Sequence, residues 1–255
     1  MGSLKVNGSS INDIDLVIFD KDGTLIDVHH YWCSMIKLRT KFLLSEISNK
    51  HFYFELENDL NFIMGALKTN KLNSNGPVGI KSRKYIVNLV SEFLNRKKIF
   101  FPPEKVELIF KKVDLETSKD LTPFLKLLPN SQNLLEEIKR SGMKSIIATT
   151  DLSSRARCAM EALNISSLFF DILGGDKVKD VKPSPDLIKL AIHKANTKAS
   201  RSIMIGDHVV DMLMGKAVNT AANIAVLNGL GKASDFQNNS NFIINNLSSI
   251  QVFSK

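Results

Sequence analysis

A chain of 255 residues, 44% of them hydrophobic, can bury one large core or a core with an insertion, and it is expected to be a soluble globular protein. The longest apolar runs are strand-sized, far short of the roughly 20 residues that span a bilayer, and residues 1–12 carry no apolar h-region; membrane insertion and secretion are not expected, and a cytoplasmic location is. The formal charge of +8 invites nucleic-acid binding, but residues 28–128 hold seventeen Lys/Arg against ten Asp/Glu, so nearly all of the excess lies in one segment.

In chain order, residues 1–12 are small and polar and are expected to fray. The first predicted strand covers 14–19 and contains the apolar run Leu16-Val17-Ile18-Phe19. From His29 the apolar residues recur at intervals of three and four, which predicts helices over 29–44, 52–67, 81–95 and 103–113. Asn73-Ser74-Asn75-Gly76-Pro77 is a turn signal within this segment, and the second proline of Phe101-Pro102-Pro103 suits a helix start. After Pro129 the pattern alternates. It predicts a helix over 131–139 closed by Ser141-Gly142, a strand over 145–148, a helix over 152–163 and a strand over 172–173. Further on come a helix over 185–195, a strand over 202–205, a helix over 209–218 and strands over 224–227 and 242–244. Strands alternating with helices imply βαβ units and a parallel sheet. The expected organisation is a core made of 1–27 and 129–255, with 28–128 inserted as a mainly helical domain.

Two Asp-bearing loops follow predicted strands nearly two hundred residues apart: Asp20-Lys21-Asp22-Gly23-Thr24 and Gly206-Asp207-His208-Val209-Val210-Asp211. Loops at the carboxyl ends of parallel strands face one crevice. Carboxylates gathered there repel one another by about 4 kcal/mol per pair at roughly 4 Å and an effective dielectric of about 20. A divalent cation is the simplest remedy. Between these loops, Thr149 and Thr150 follow a predicted strand, and Lys182-Pro183-Ser184-Pro185-Asp186 leads into a predicted helix. Singly, each pattern is ordinary: Asp-Gly after a strand is a common turn, Asp22 or Asp211 can cap a helix, and Lys182 can be a surface charge. Together and in this order they resemble the haloacid dehalogenase-like superfamily. Within it they resemble the capped phosphatases of the phosphoglycolate phosphatase-like and β-phosphoglucomutase-like group.

The resemblance implies a Rossmann-like α/β core, a parallel sheet flanked by helices, with residues 28–128 as a helical cap. It implies Asp20 as the nucleophile that forms an aspartyl-phosphate, and Asp22 as the acid that protonates the leaving alcohol and the base that then activates water. Gly23 would let the chain turn so that the Asp22 carbonyl reaches a metal. Thr149 would donate a hydroxyl to the phosphoryl oxygens and Lys182 a positive charge, with Thr150 a rival for the hydroxyl role. Asp20, the Asp22 carbonyl and Asp207 would ligate Mg2+, the ion that all-oxygen ligands beside a phosphate favour, and Asp211 would orient a metal-bound water or Lys182.

The expected activity is Mg2+-dependent hydrolysis of a small phosphomonoester, with a small anionic phosphorylated partner and neither a nucleic acid nor a membrane. A sugar phosphomutase on the same scaffold, and a non-catalytic binding protein using the basic insertion, are the alternatives. An acid at Asp22 disfavours dehalogenase and phosphonate chemistry, which the resemblance associates with other residues there. Lys81 and Arg83, after the 73–79 turn, are candidate substrate contacts, together with Gly23 and Thr150. His208 reads as a loop histidine that could touch a metal's water shell; His29 and His30 could reach substrate or open a solvent-facing helix. Tyr31-Trp32 reads as packing. Cys33 and Cys158 show no CxxC spacing, so neither a disulfide framework nor a zinc site is expected.

Overall fold

The computed structural model describes residues 2–47, 53–79 and 81–254 and divides into two compact units, Met1–Asp27 with Leu125–Lys255, and Val28–Phe124. The expected element bounds at Met1, Phe52 and Lys255 lie outside the described residues.

The first unit opens with β1 (Gly2–Val6) and β2 (Ser9–Ile14), where a frayed terminus was expected. Asn7 and Gly8, both at positive φ, make the two-residue turn that joins them, and Val6 pairs with Ser9 across it. Leu4 and Val6 are fully buried. What holds this short polar segment is distant in sequence: β1 also pairs antiparallel with the last strand of the chain, Leu4 facing Val252. Local composition contains no trace of that pairing, which is why the segment reads as loose.

β3 (Leu16–Phe19) follows, buried at every residue. Its continuous apolar run is the signature of a central parallel strand covered on both faces. The chain leaves this unit after Asp27 and re-enters at Leu125, and the two passages are stitched together within it: Asp27 N donates to Lys126 O, Leu128 N to Leu25 O, and Ser131 Oγ to Leu25 O.

The second unit holds α1 (Val28–Ser45), α2 (Tyr53–Met64), α3 (Arg83–Arg96) and α4 (Pro103–Lys119). Their apolar faces meet in a core that includes Met35, Ile36, Leu43, Leu60, Val90, Leu94, Phe110 and Val113. Ser82 caps α3 by accepting from Tyr85 N, and Pro103 occupies the first turn of α4. Arg39 is buried here with its guanidinium carbon 4.4 Å from the Phe110 ring centroid and 5.8 Å from that of Trp32, which in turn meets Tyr31 edge-on at 5.0 Å. Tyr31 and Trp32 therefore pack, as their sequence suggests.

The remainder of the first unit runs α5 (Ser131–Arg140), β4 (Lys144–Ala148), α6 (Ser153–Ala162), β5 (Asp171–Leu173), α7 (Asp186–Ala195), β6 (Ser202–Gly206), α8 (Val209–Ala217), β7 (Ala222–Val226), α9 (Ala233–Phe236), β8 (Phe242–Ile244) and β9 (Ile250–Ser254). Six strands form a parallel sheet in the order β5-β4-β3-β6-β7-β8, and β2-β1-β9 form a separate antiparallel sheet. Leu16, Ile18, Ile146 and Met204 of the sheet pack with Leu187, Ile188 and Ala191 of α7 and Met212 of α8. Chain order runs outward from β3 to β5 on one side and from β6 to β8 on the other. The gap above β3 and β6 is thus the point where the connections diverge, the place at which open α/β sheets bind ligands. This is the α/β architecture that the alternating pattern implies.

Candidate active site

The two Asp loops leave that divergence point side by side. Phe19 is in register with Ile205, and Asp20 N donates to Ile205 O at 2.9 Å, which extends the ladder one residue past the β3 strand and sets Asp20 beside the Gly206-Asp207 turn. Oxygens of Asp20, Asp207 and Asp211 lie within 4.8 Å of one another, all on buried residues. Lys182, from the segment before α7, donates 2.6 Å bonds to Asp20 Oδ1 and Asp211 Oδ1. Its side chain is only 3% exposed. Four residues separated by up to 191 positions thus form one buried ionic cluster with three carboxyl groups against one ammonium.

Each member has a local support. Asp211 is the third residue of α8, and its Oδ2 accepts from His208 N at 3.1 Å while His208 Nδ1 accepts from Val210 N at 3.4 Å, a reciprocal cap of the helix start. His208 is therefore a helix cap. With one oxygen on Lys182 and the other on the His208 amide, Asp211 is already committed, which suits a supporting carboxylate better than a primary ligand. Asp207 Oδ2 accepts from Leu230 N at 2.8 Å, and its carbonyl accepts from Gly231 N at 3.0 Å.

Gly23, at φ +92°, turns the first loop where an L side chain is strained, and a Cβ on it would overlap the Asp207 carboxylate; so would a Cβ on Gly229. Asp207 is thus clasped between two bare backbones. We expect Gly229→Ala to displace it and to weaken binding of a divalent cation at the cluster by about tenfold or more while the protein still folds, which calorimetric titration of the purified protein with Mg2+ checks.

The charge imbalance and burial together shift the protonation of the cluster. Burial pushes the Asp20 carboxyl up to about 6; Lys182 moderates the rise and the Asp211 charge adds to it. Asp207 is held well above the usual carboxylate range by burial, and then by Asp20 and Asp211. Lys182 is raised: burial disfavours its charge, but Asp20 and Asp211 more than offset that. The sign for stability follows from Asp20. A folded-state value above the unfolded 3.8 means that the folded protein holds the proton more tightly, so the metal-free protein loses stability as pH rises from about 4 to about 6. The Asp20 share is on the order of 3 kcal/mol. Thermal unfolding of EDTA-treated protein across that range should show the decline, and Asp20→Asn should flatten it.

All-oxygen donors, a deficit of positive charge and backbone packed tightly around Asp207 fit a small hard cation, for which Mg2+ is the natural candidate. Asp20 and Asp207 are the side chains that would hold it.

The other candidates fall into two groups. Thr149 is buried at the end of β4, its amide bonded to Leu173 O and its Oγ1 accepting from Asp151 N at 3.2 Å, whereas Thr150 is exposed. Asp22 lies two residues past Asp20 in the same loop and takes two bonds from Lys21 Nζ, at 2.7 and 2.8 Å. In the helical unit, Arg83 is engaged by Glu107 at 3.0–3.1 Å and by Asp114, so two carboxylates within that unit already balance its charge. Lys81 is exposed, its Nζ 6.0 Å from the Tyr85 ring centroid. His29 Nδ1 accepts from Leu72 N, and His30 contacts Pro123 O. Neither Lys21 nor the Gly229-Leu230-Gly231 turn belongs to the motifs of the sequence; a glycine pair shortly after an apolar strand is the available signal for the second.

Comparison with known proteins agrees with this geometry. A phosphoglycolate phosphatase from Aquifex aeolicus is 26% identical over 211 residues, which cover 83% of this chain and 84% of that protein. A pyrophosphatase PpaX from Oceanobacillus iheyensis is 23% identical over 206 residues, 81% of this chain and 80% of that one. The crystal structure of a predicted phosphoglycolate phosphatase from Haemophilus somnus shares the fold with a TM-score of 0.70 at 17% identity, covering 92% of this chain and 96% of that one. The family model for haloacid dehalogenase-like hydrolases matches residues 17–225, a span that includes both Asp loops, Thr149 and Lys182, and this chain therefore belongs to the haloacid dehalogenase-like hydrolase family.

Proposed function

We propose that the protein is a Mg2+-dependent phosphatase that hydrolyses a small phosphomonoester through an aspartyl-phosphate on Asp20. The observation that carries this reading is the buried Lys182 bridging Asp20 and Asp211 beside Asp207, at the divergence point of a parallel sheet. Phosphoryl transfer requires little of a protein beyond a positioned nucleophile and neutralised equatorial oxygens. Here Asp20 forms its bond to phosphorus as the bond to the leaving oxygen breaks, and Asp22 passes a proton to that oxygen. Asp22 then takes a proton from the water that attacks phosphorus, and the bond to Asp20 breaks. Lys182 and the Thr149 hydroxyl would meet the phosphoryl oxygens. Mg2+, held by Asp20, Asp207 and the Asp22 carbonyl, would supply positive charge as the phosphoryl group moves. The helical unit, Val28–Phe124, would serve as the cap that selects the leaving group.

Relatives named phosphoglycolate phosphatase and pyrophosphatase support a small phosphorylated metabolite as the substrate class. A cytoplasmic location fits that substrate class, and among the described residues no helix is long and apolar enough to cross a membrane.

Turnover of 4-nitrophenyl phosphate by the purified protein, its loss on EDTA treatment and its return with Mg2+ are the expected results. Activity that survives both EDTA and Asp20→Asn would remove the mechanism. In the same preparation, Mg2+ should raise the melting temperature of the wild type and leave that of Asp207→Asn unmoved.

A further inference from the structure

Lys21 stands between the two carboxylates of the first loop. Its side chain is 3% exposed, and its Nζ donates to both oxygens of Asp22, at 2.7 and 2.8 Å. The same nitrogen lies 3.6 Å from Asp151 Oδ2 in the segment after β4, two residues beyond Thr149, and Asp151 in turn lies 3.9 Å from Arg155 Nε at the start of α6. The turn is closed through the Lys21 main-chain carbonyl, which accepts from Leu25 N and Ile26 N. Burying an ammonium carries a desolvation penalty that an apolar residue at position 21 would avoid.

We propose that Lys21 is a positioning residue for Asp22. The two-oxygen contact holds the carboxyl group in one orientation, and Asp151 ties that arrangement to the loop carrying Thr149. Each Asp22 oxygen keeps a further lone pair for proton transfer. This inference rests on the phosphatase reading, in which Asp22 gives its proton to the leaving oxygen. It predicts an effect confined to that proton transfer. Phenolate with a nitro group leaves readily without a proton, whereas an alkoxide does not.

The test compares kcat/KM, which reports transfer of the phosphoryl group to Asp20, for 4-nitrophenyl phosphate and for an alkyl phosphate such as glycerol phosphate. Lys21→Met should lower the alkyl value about a hundredfold and the aryl value about tenfold or less, because general acid catalysis contributes on that scale only where the leaving group needs it. The ratio of the two losses does not depend on the folded fraction, and if Lys21→Met fails to fold, Lys21→Gln is expected to skew the ratio in the same direction. Equal losses on both esters, with wild-type turnover abolished by Asp20→Asn, would overturn the role of Lys21 and leave the phosphatase reading intact. Absence of any wild-type turnover would overturn both.

Discussion

Asp20→Asn should reduce phosphatase turnover by roughly a thousandfold or more while leaving the fold in place. Under the proposed aspartyl-phosphate mechanism the effect is large because the amide is not a nucleophile, and the two easier displacements are lost with the covalent step. The fold should survive because the carboxyl group is a burden before it is an asset: burial pushes it up to about 6, so replacing it with a neutral isostere relieves a penalty at neutral pH. The amide oxygen can still accept from Lys182, now 2.6 Å away. Turnover of an aryl phosphate and thermal melting on the same metal-free preparation check both halves. An unchanged rate would remove Asp20 from the chemistry, and a collapse of the melting transition would show that the carboxylate is structural.

Lys182→Met is expected to be damaging in a different way. It leaves Asp20 and the 1% exposed side chain of Asp211 facing each other with no intervening cation. Breaking a buried ion pair by removing one partner typically destabilises by about 3–5 kcal/mol, because the remaining charge keeps its desolvation penalty. For a chain of this size that corresponds to a fall in melting temperature of roughly 6–20 °C. The sign with pH is fixed by the carboxylates: Lys182 lowers the Asp20 value, so its removal raises that value further. The variant should therefore recover stability as pH falls from neutral towards about 5, more steeply than the wild type. Turnover should drop by about a hundredfold or more, since the charge proposed to meet the phosphoryl oxygens is lost. Denaturant melts at pH 5 and pH 7 alongside kinetics separate the two consequences. A melting temperature that does not depend on position 182 would show that the cluster is far better solvated than its burial indicates.

Asp20→Asn and Lys182→Met together distinguish a nucleophile, whose loss is kinetic, from a counter-charge, whose loss is both kinetic and structural. Stability measured without metal is informative because the cluster carries excess negative charge in that state.

Much of this was legible in the linear chain because its signals are local. An all-apolar β3 followed by Asp20 and Asp22, and Ile203-Met204-Ile205 followed by Gly206 and Asp207, state both a buried parallel strand and the loop at its end. The helical spacing of α1 to α4 and the alternation after Pro129 likewise follow from periods of 3.6 and 2, and the α/β class comes with them. Only tertiary structure could decide the rest. That residues 2–14 form a hairpin depends on β9, more than two hundred residues away. That Asp211 is already held from two sides, that Gly229 makes room for Asp207 and that Arg83 is balanced by Glu107 and Asp114 are facts of distance, set by how separate segments pack. A residue's type announces which charge or hydroxyl it can offer; which neighbour takes up that offer is settled only when burial excludes water and leaves one partner within reach.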